Sequence, residues 1–122
     1  MGEISIGVDI VSIDKIKTIL TSKIGKRFKH RIFTDSEIKF CTKKTNSYQH
    51  FAGRFAAKEA VKKAILTKGL DNTKFKHIEI LSKEGGAPAI SLPQKYQSNY
   101  SFECSITHTG DNALAFVLMH KK

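Results

Sequence analysis

Proline and cysteine are scarce in this chain, each occurring twice in 122 residues. Cys41 and Cys104 match neither a paired-cysteine zinc motif nor a disulfide framework, which leaves buried thiols in a reducing compartment as the expectation. Few prolines, no low-complexity tract and a hydrophobic fraction of 40% exclude a disordered chain. No apolar run approaches a membrane span, and no basic region followed by a hydrophobic stretch opens the chain, so no membrane association and a cytoplasmic location are expected. Acid is scarce as well: 11 Asp and Glu stand against 21 Lys and Arg, a formal charge of +10. Such a field recruits a polyanion, an acidic protein or a phosphate-rich ligand, and charge alone does not choose among them.

The bases are unevenly spread. From Lys15 to Lys44 there are ten, against two acids, Asp35 and Glu37. The length suits one domain spanning residues 1–122, large enough for a core without staples. No internal repeat and no linker divides it.

Phe51 to Ala64, FAGRFAAKEAVKKA, is the one long stretch whose composition asks to be both buried and charged. At the helical period Gly53, Ala56, Ala57, Ala60, Val61 and Ala64 form one face, small enough for another backbone to approach closely. The other half carries Arg54, Lys58, Glu59, Lys62 and Lys63, interleaved with Phe51, Phe55, Ile65 and Leu66. Glu59 is its only acid. Two readings of it stand: a surface partner of Lys63 at i+4, or a carboxylate ringed by cations where a metal and a phosphate meet.

In chain order, Ile4, Ile6, Val8 and Ile10 alternate with other residues and predict a strand carrying Gly7 and Asp9 on its opposite face. An acid on a strand needs a reason. It either helps end the strand before a helix capped near Ser12 or serves as a ligand. A helix follows from Ile13, and after Gly25 comes the basic run Lys26 to Arg31. Thr34 and Glu37 form a capping box that opens a short helix. Asn46 with Gln49 resembles a further helix start leading into the long stretch. His77 to Ser82 and Ala89 to Leu92 read as a hairpin around Gly85 and Gly86. Pro93 to Ser98 reads as a short helix or an irregular connection, and Phe102 to Thr107 and Ala113 to His120 as two strands. The order predicts an α+β fold, a mostly antiparallel sheet packed around a long central helix.

Four pieces stand in one order: Gly7-Val8-Asp9-Ile10, Arg54-Phe55-Ala56-Ala57-Lys58-Glu59-Ala60, Gly86-Ala87-Pro88, and Ser105-Ile106-Thr107-His108. In these the chain resembles the holo-acyl-carrier-protein synthase family of 4'-phosphopantetheinyl transferases, over about Ile4 to Val117. The resemblance implies transfer of the 4'-phosphopantetheine arm of coenzyme A to a serine of apo acyl carrier protein, with release of adenosine 3',5'-bisphosphate. It implies a divalent cation, normally Mg2+, held by Asp9 and Glu59, and a homotrimer with coenzyme A in the cleft between subunits. Arg54, Lys58, Lys63, Pro88 and His108 would lie near the coenzyme. Lys15, Arg27 and Arg31 would meet the acidic carrier; relatives commonly have arginine at the first of these, and Lys15 cannot make a bidentate fork to a carboxylate.

The chemistry suits such a set. Phosphoryl transfer asks a protein to position reactants and neutralise charge. Magnesium takes one or two carboxylates plus substrate phosphates. Lys58, beside Glu59, is expected to face the pyrophosphate and offset charge on the leaving oxygen. The main rival is a small nucleic-acid-binding domain, which would show several aromatics on a sheet face; Phe102 and Phe116 are instead expected in the core, so no nucleic-acid partner is expected. A non-catalytic carrier-binding module would leave Asp9 and Glu59 without employment.

Overall fold

A computed structural model describes residues 3–122. β1 (Ile4–Ser12) leads into α1 (Ile13–Leu20), α2 (Gly25–Ile32), α3 (Asp35–Thr42) and α4 (Ser47–Thr67). A short 3-10 helix (Phe75–His77), the hairpin β2 (Glu79–Ser82) and β3 (Pro88–Ser91), α5 (Gln94–Gln97), and the long strands β4 (Tyr100–His108) and β5 (Asn112–Lys121) complete the chain. This is an α+β fold in which every described strand pair is antiparallel. The strands form two sheets rather than one: β1-β5-β4, and the separate β2-β3 hairpin.

Local chemistry sets several boundaries. Ser12 caps α1, its side chain accepting from the Lys15 N–H at 3.2 Å. Thr34 and Glu37 form the reciprocal capping box at the start of α3. Asn46 precedes α4 but makes no side-chain cap, so the helix start read from Asn46 and Gln49 is right in place and wrong in mechanism. The hairpin turns on Gly85 and Gly86, both at φ 91°, a left-handed conformation that costs glycine little.

The alternation in β1 leaves open which of its faces packs. Ser5 and Gly7 face α4 and are buried, while Ile4, Ile6, Val8 and Ile10 are 51–61% exposed. The Ser5 hydroxyl donates to the Ala64 carbonyl at 2.6 Å. A methyl placed on Gly7 would sit 1.8 Å from the Ala60 carbonyl oxygen. Two residues of strand advance about 6.6 Å and four of helix about 6 Å, so the Ser5–Ala64 and Gly7–Ala60 contacts keep step. The same step carries Asp9 on toward the previous turn of α4.

α4 is buried on most of its circumference. Ala56, Ala57, Ala60, Val61 and Ala64 pack with Ala115, Val117 and Met119 of β5 and with Ile78, Ile80, Leu92 and Tyr96. A second cluster joins the start of α4 to the helical layer through Ile16, Ile32, Phe33, Cys41, Phe51 and Ala52. Burial pushes the Cys41 thiol up to about 12 and the half-buried Cys104 thiol up to about 11, so both are held in the unreactive thiol form. Phe102 packs against the first cluster, but Phe116 points the other way and is 40% exposed, contrary to the core position read from sequence. Among the described residues no helix is long and apolar enough to cross a membrane.

Gly7→Ala tests the close approach of β1 to α4. Thermal and urea denaturation should show a loss of about 3 kcal/mol or more, because the obstructing atom is backbone and cannot swing aside.

Candidate functional site

The two acids singled out in the sequence come from two elements packed directly on each other, β1 and α4. Asp9 leaves β1 on the face that packs against α4, where it meets Lys63, one turn after Glu59. Burial first, and then the Asp9 charge, push the Glu59 carboxyl above its usual value, while Lys62 and Lys63 pull it down. The carboxylates are therefore close enough to repel. Lys63 Nζ lies 2.9 Å from Asp9 Oδ1 and 3.0 Å from the Val8 carbonyl. Its ion-pair partner is thus Asp9, 16% exposed, and not Glu59 as the i+4 spacing suggested.

This donor set fits a hard divalent cation. It offers carboxylate oxygens from two elements, the hard donors such an ion prefers. The described residues include no cluster of three or more His, Cys, Asp or Glu side chains of the kind a borderline metal needs.

A second part of the arrangement is a cavity of about 350 Å³ between α4, the β2-β3 hairpin and the ends of β4 and β5. Arg54, Pro88 and His108 line it, so three residues far apart in the chain meet there. Arg54 is buried. One terminal nitrogen donates to Ser82 Oγ at 3.3 Å, the guanidinium lies 4.2 Å from the centre of the Phe40 ring, and the buried Nε–H has no partner. A buried arginine with an unused donor is a standing anion receptor. His108 Nε2 lies 3.0 Å from Gln49 Nε2.

Lys44, Gln49 and His50 also line the cavity, and none of them was assigned a role in a site from the sequence. Burial and the charges of Arg54, Lys44 and His108 push the His50 imidazole below its usual value, evidence of how cationic the cavity is. A signal for His50 was available: it lies four residues before Arg54 on the same face of α4. Lys44 carried no such signal, since it sits in the polar loop between α3 and α4. Lys63 is absent from this lining, as are Asp9 and Glu59.

Lys58 requires a correction. Its ammonium pairs with Glu37 Oε1 at 2.7 Å and donates to the carbonyls of Ile78 at 2.5 Å and Phe75 at 3.0 Å. Its three protons are spent inside the protein, and its side chain is fully buried. Burial pulls the ammonium below its ordinary value and Glu37 pulls it back. Lys58 therefore does not face a pyrophosphate; adjacency to Glu59 places it about 100° away around the helix. Glu37, besides its capping role, accepts the Ile80 N–H at 2.7 Å. The pair thus ties α3, α4 and the hairpin into one body. Lys15, Arg27 and Arg31 are exposed on α1 and α2, which pack against each other.

Comparison with known proteins gives a consistent result. The profile of the 4'-phosphopantetheinyl transferase superfamily matches residues 5–117. The holo-acyl-carrier-protein synthase of Thermodesulfovibrio yellowstonii is 38% identical over 115 residues, covering 93% of this chain and 96% of the relative. That of Chlorobaculum parvum is 39% identical over 115 residues, with the same coverage of 93% and 96%. Among solved structures, the Chronobacterium ammoniagenes ACPS-CoA complex superposes with a TM-score of 0.82 at 28% identity, covering 98% of each chain. The Helicobacter pylori holo-acyl-carrier-protein synthase in complex with coenzyme A gives 0.79 at 34% identity, covering 93% of this chain and 98% of that one.

Lys58→Met should lower stability by about 3–5 kcal/mol in denaturant unfolding, because Glu37 is left buried without its counter-charge. Adding Glu37→Met should recover part of that loss, a coupling that a lysine acting only on substrate would not show.

Proposed function

The chain belongs to the 4'-phosphopantetheinyl transferase superfamily, and on that premise we propose that it is a holo-acyl-carrier-protein synthase, acting as one domain in the cytoplasm. It transfers the 4'-phosphopantetheine arm of coenzyme A to a serine hydroxyl of apo acyl carrier protein and releases adenosine 3',5'-bisphosphate. The observation that carries this reading is the buried Arg54 with its unpartnered Nε, set in a cationic cavity with Pro88 and His108. It is supported by relatives above 35% identity across nearly the full chain.

In the proposed reaction the serine oxygen forms a bond to the phosphorus that carries the pantetheine. The bond from that phosphorus to the bridging oxygen of the pyrophosphate breaks, and the serine proton leaves to a base. Arg54 and His108 bind the nucleotide phosphates and hold the coenzyme. Asp9 and Glu59 hold Mg2+, which when bound supplies positive charge to the pyrophosphate. Lys63, one turn after Glu59 and already on Asp9, adds a second positive charge beside the carboxylates. Lys15, Arg27 and Arg31 steer the acidic carrier toward this edge, an attraction that weakens with salt.

A homotrimer accounts for the open face of the sheet. Ile4, Ile6, Val8 and Ile10 stand beside Leu114, Phe116 and Leu118 through the β1-β5 register, a continuous apolar surface. Further copies of the chain are its proposed occupant. Asp9 shares β1 with that face while pointing to the other side, so a neighbour seated there would close the ground between the carboxylates and the solvent. A nucleic-acid reading fits less well: Phe116 is the only large aromatic among the exposed large hydrophobic residues described.

Incubation with coenzyme A and apo acyl carrier protein, followed by mass spectrometry, should show a gain of one phosphopantetheine arm with magnesium and none with chelator. Glu59→Gln should fold normally and lose transfer by about a hundredfold or more; a fully active, metal-responsive variant would remove Glu59 from the metal site. Val8→Asp should turn a trimer into monomers in sedimentation analysis, and a wild-type chain that sediments as a monomer would sink the assembly.

A further inference from the structure

Away from both the cavity and the carboxylates lies a cleft of about 1170 Å³. Four elements contribute cations to it: Arg31 from α2, Lys62 from α4, Lys74, Lys76 and His77 from the segment through the 3-10 helix, and Lys95 from α5. No carboxylate lines it. Neither of the two ion pairs among the described residues involves any of these side chains. Lys62 is the exception to their freedom, since its ammonium donates to the Thr73 carbonyl at 2.6 Å and lies 4.4 Å from the centre of the Phe75 ring. The others are exposed, and Lys95 Nζ also lies 5.1 Å from the centre of the Tyr96 ring.

Such an accumulation of like charge costs stability through self-repulsion unless an anion answers it. The site is larger than a small-molecule pocket, and its cations are spread over separate elements around the apolar Phe75 and Pro93. Nucleic acid is disfavoured here, because the Phe75 ring is already stacked on Phe55 at 5.6 Å and engaged by Lys62. Phe55 in turn meets Phe28 of α2 at 6.0 Å, so an aromatic row joins the cleft to the helix that carries Arg27 and Arg31. Lys62, the one α4 residue in the lining, ties the cleft to the helix that carries Glu59, three residues earlier in the chain.

We propose that this cleft is the second half of the carrier-docking surface. Arg27 and Arg31 hold one side of the acidic apo acyl carrier protein, and Lys74, Lys76 and Lys95 hold another acidic segment of the same molecule, across the aromatic row from α2. The inference rests on the proposed synthase reading, whose own failure would appear as the absence of any transfer by the unaltered protein.

The test is direct titration of a fluorescently labelled apo acyl carrier protein, read by anisotropy at several salt concentrations. Lys74→Glu/Lys76→Glu and, separately, Lys95→Glu should each weaken binding, the double variant by about tenfold or more, with a shallower salt dependence. The KM for coenzyme A and the melting temperature should stay as in the unaltered protein. Lys121→Glu/Lys122→Glu, the same change of charge at the end of β5, should alter carrier binding by less than about twofold. Carrier affinity unchanged in both cleft variants overturns the proposal. So does equal weakening by the β5 control, which would reduce the effect to net charge, or loss of single-stranded nucleic-acid binding while carrier binding persists.

Discussion

At Gly7 the first strand lies so close to α4 that a single added carbon would meet the Ala60 carbonyl. The remainder of the arrangement depends on that approach. It is possible only because α4 presents Ala56, Ala57, Ala60 and Ala64 and because β5 places Ala115 and Val117 beside them. Close contact carries Asp9 to the same edge as Glu59, where their mutual repulsion, added to burial, raises the Glu59 carboxyl. A cationic partner at that edge relieves the repulsion, and Lys63 partly does so. The small-residue face and the carboxylate pair are thus one feature: the first sets the separation, the second uses it.

The charges of α4 divide by depth. Lys58 turns inward to Glu37 and two carbonyls and acts as a tie between helix and hairpin. Arg54 is equally deep but keeps an unpaired nitrogen, which makes it a receptor rather than a tie. Lys63 is half exposed and holds Asp9 and the Val8 carbonyl at the carboxylate edge. A buried ion pair is weak evidence for net stability. Here its geometric consequence matters more, because the hairpin it anchors supplies Ser82 and Pro88 to the cavity.

The surface divides in a similar way. One side of the three-stranded sheet is covered by α4, while the other is apolar and open, a poor end state for a chain alone in water. The helical side is basic and gains still more positive character from structure: of the two acids between Lys15 and Lys44, Glu37 is withdrawn into the core to face Lys58. The molecule thus carries an open apolar sheet face and a basic helical face.

Residue pattern alone determined a good deal. The alternation of β1, the capping box at Thr34 and Glu37, the Gly85-Gly86 turn and the small face of α4 are local features, set by steric and hydrogen-bonding preferences within a few residues, and each is legible without a fold. Four short motifs in a fixed order pointed to the superfamily. Tertiary structure alone decided which side of β1 is buried, because alternation has a period but no direction. It also decided that Lys58 is spent internally, since helical spacing reports which residues share a face and not what another element brings to it. The meeting of Lys44, Gln49 and His50 with Arg54 and His108 was hidden for the same reason: 59 residues separate Gln49 from His108, and only the packing of α4 against β4 and β5 brings their nitrogens within 3.0 Å.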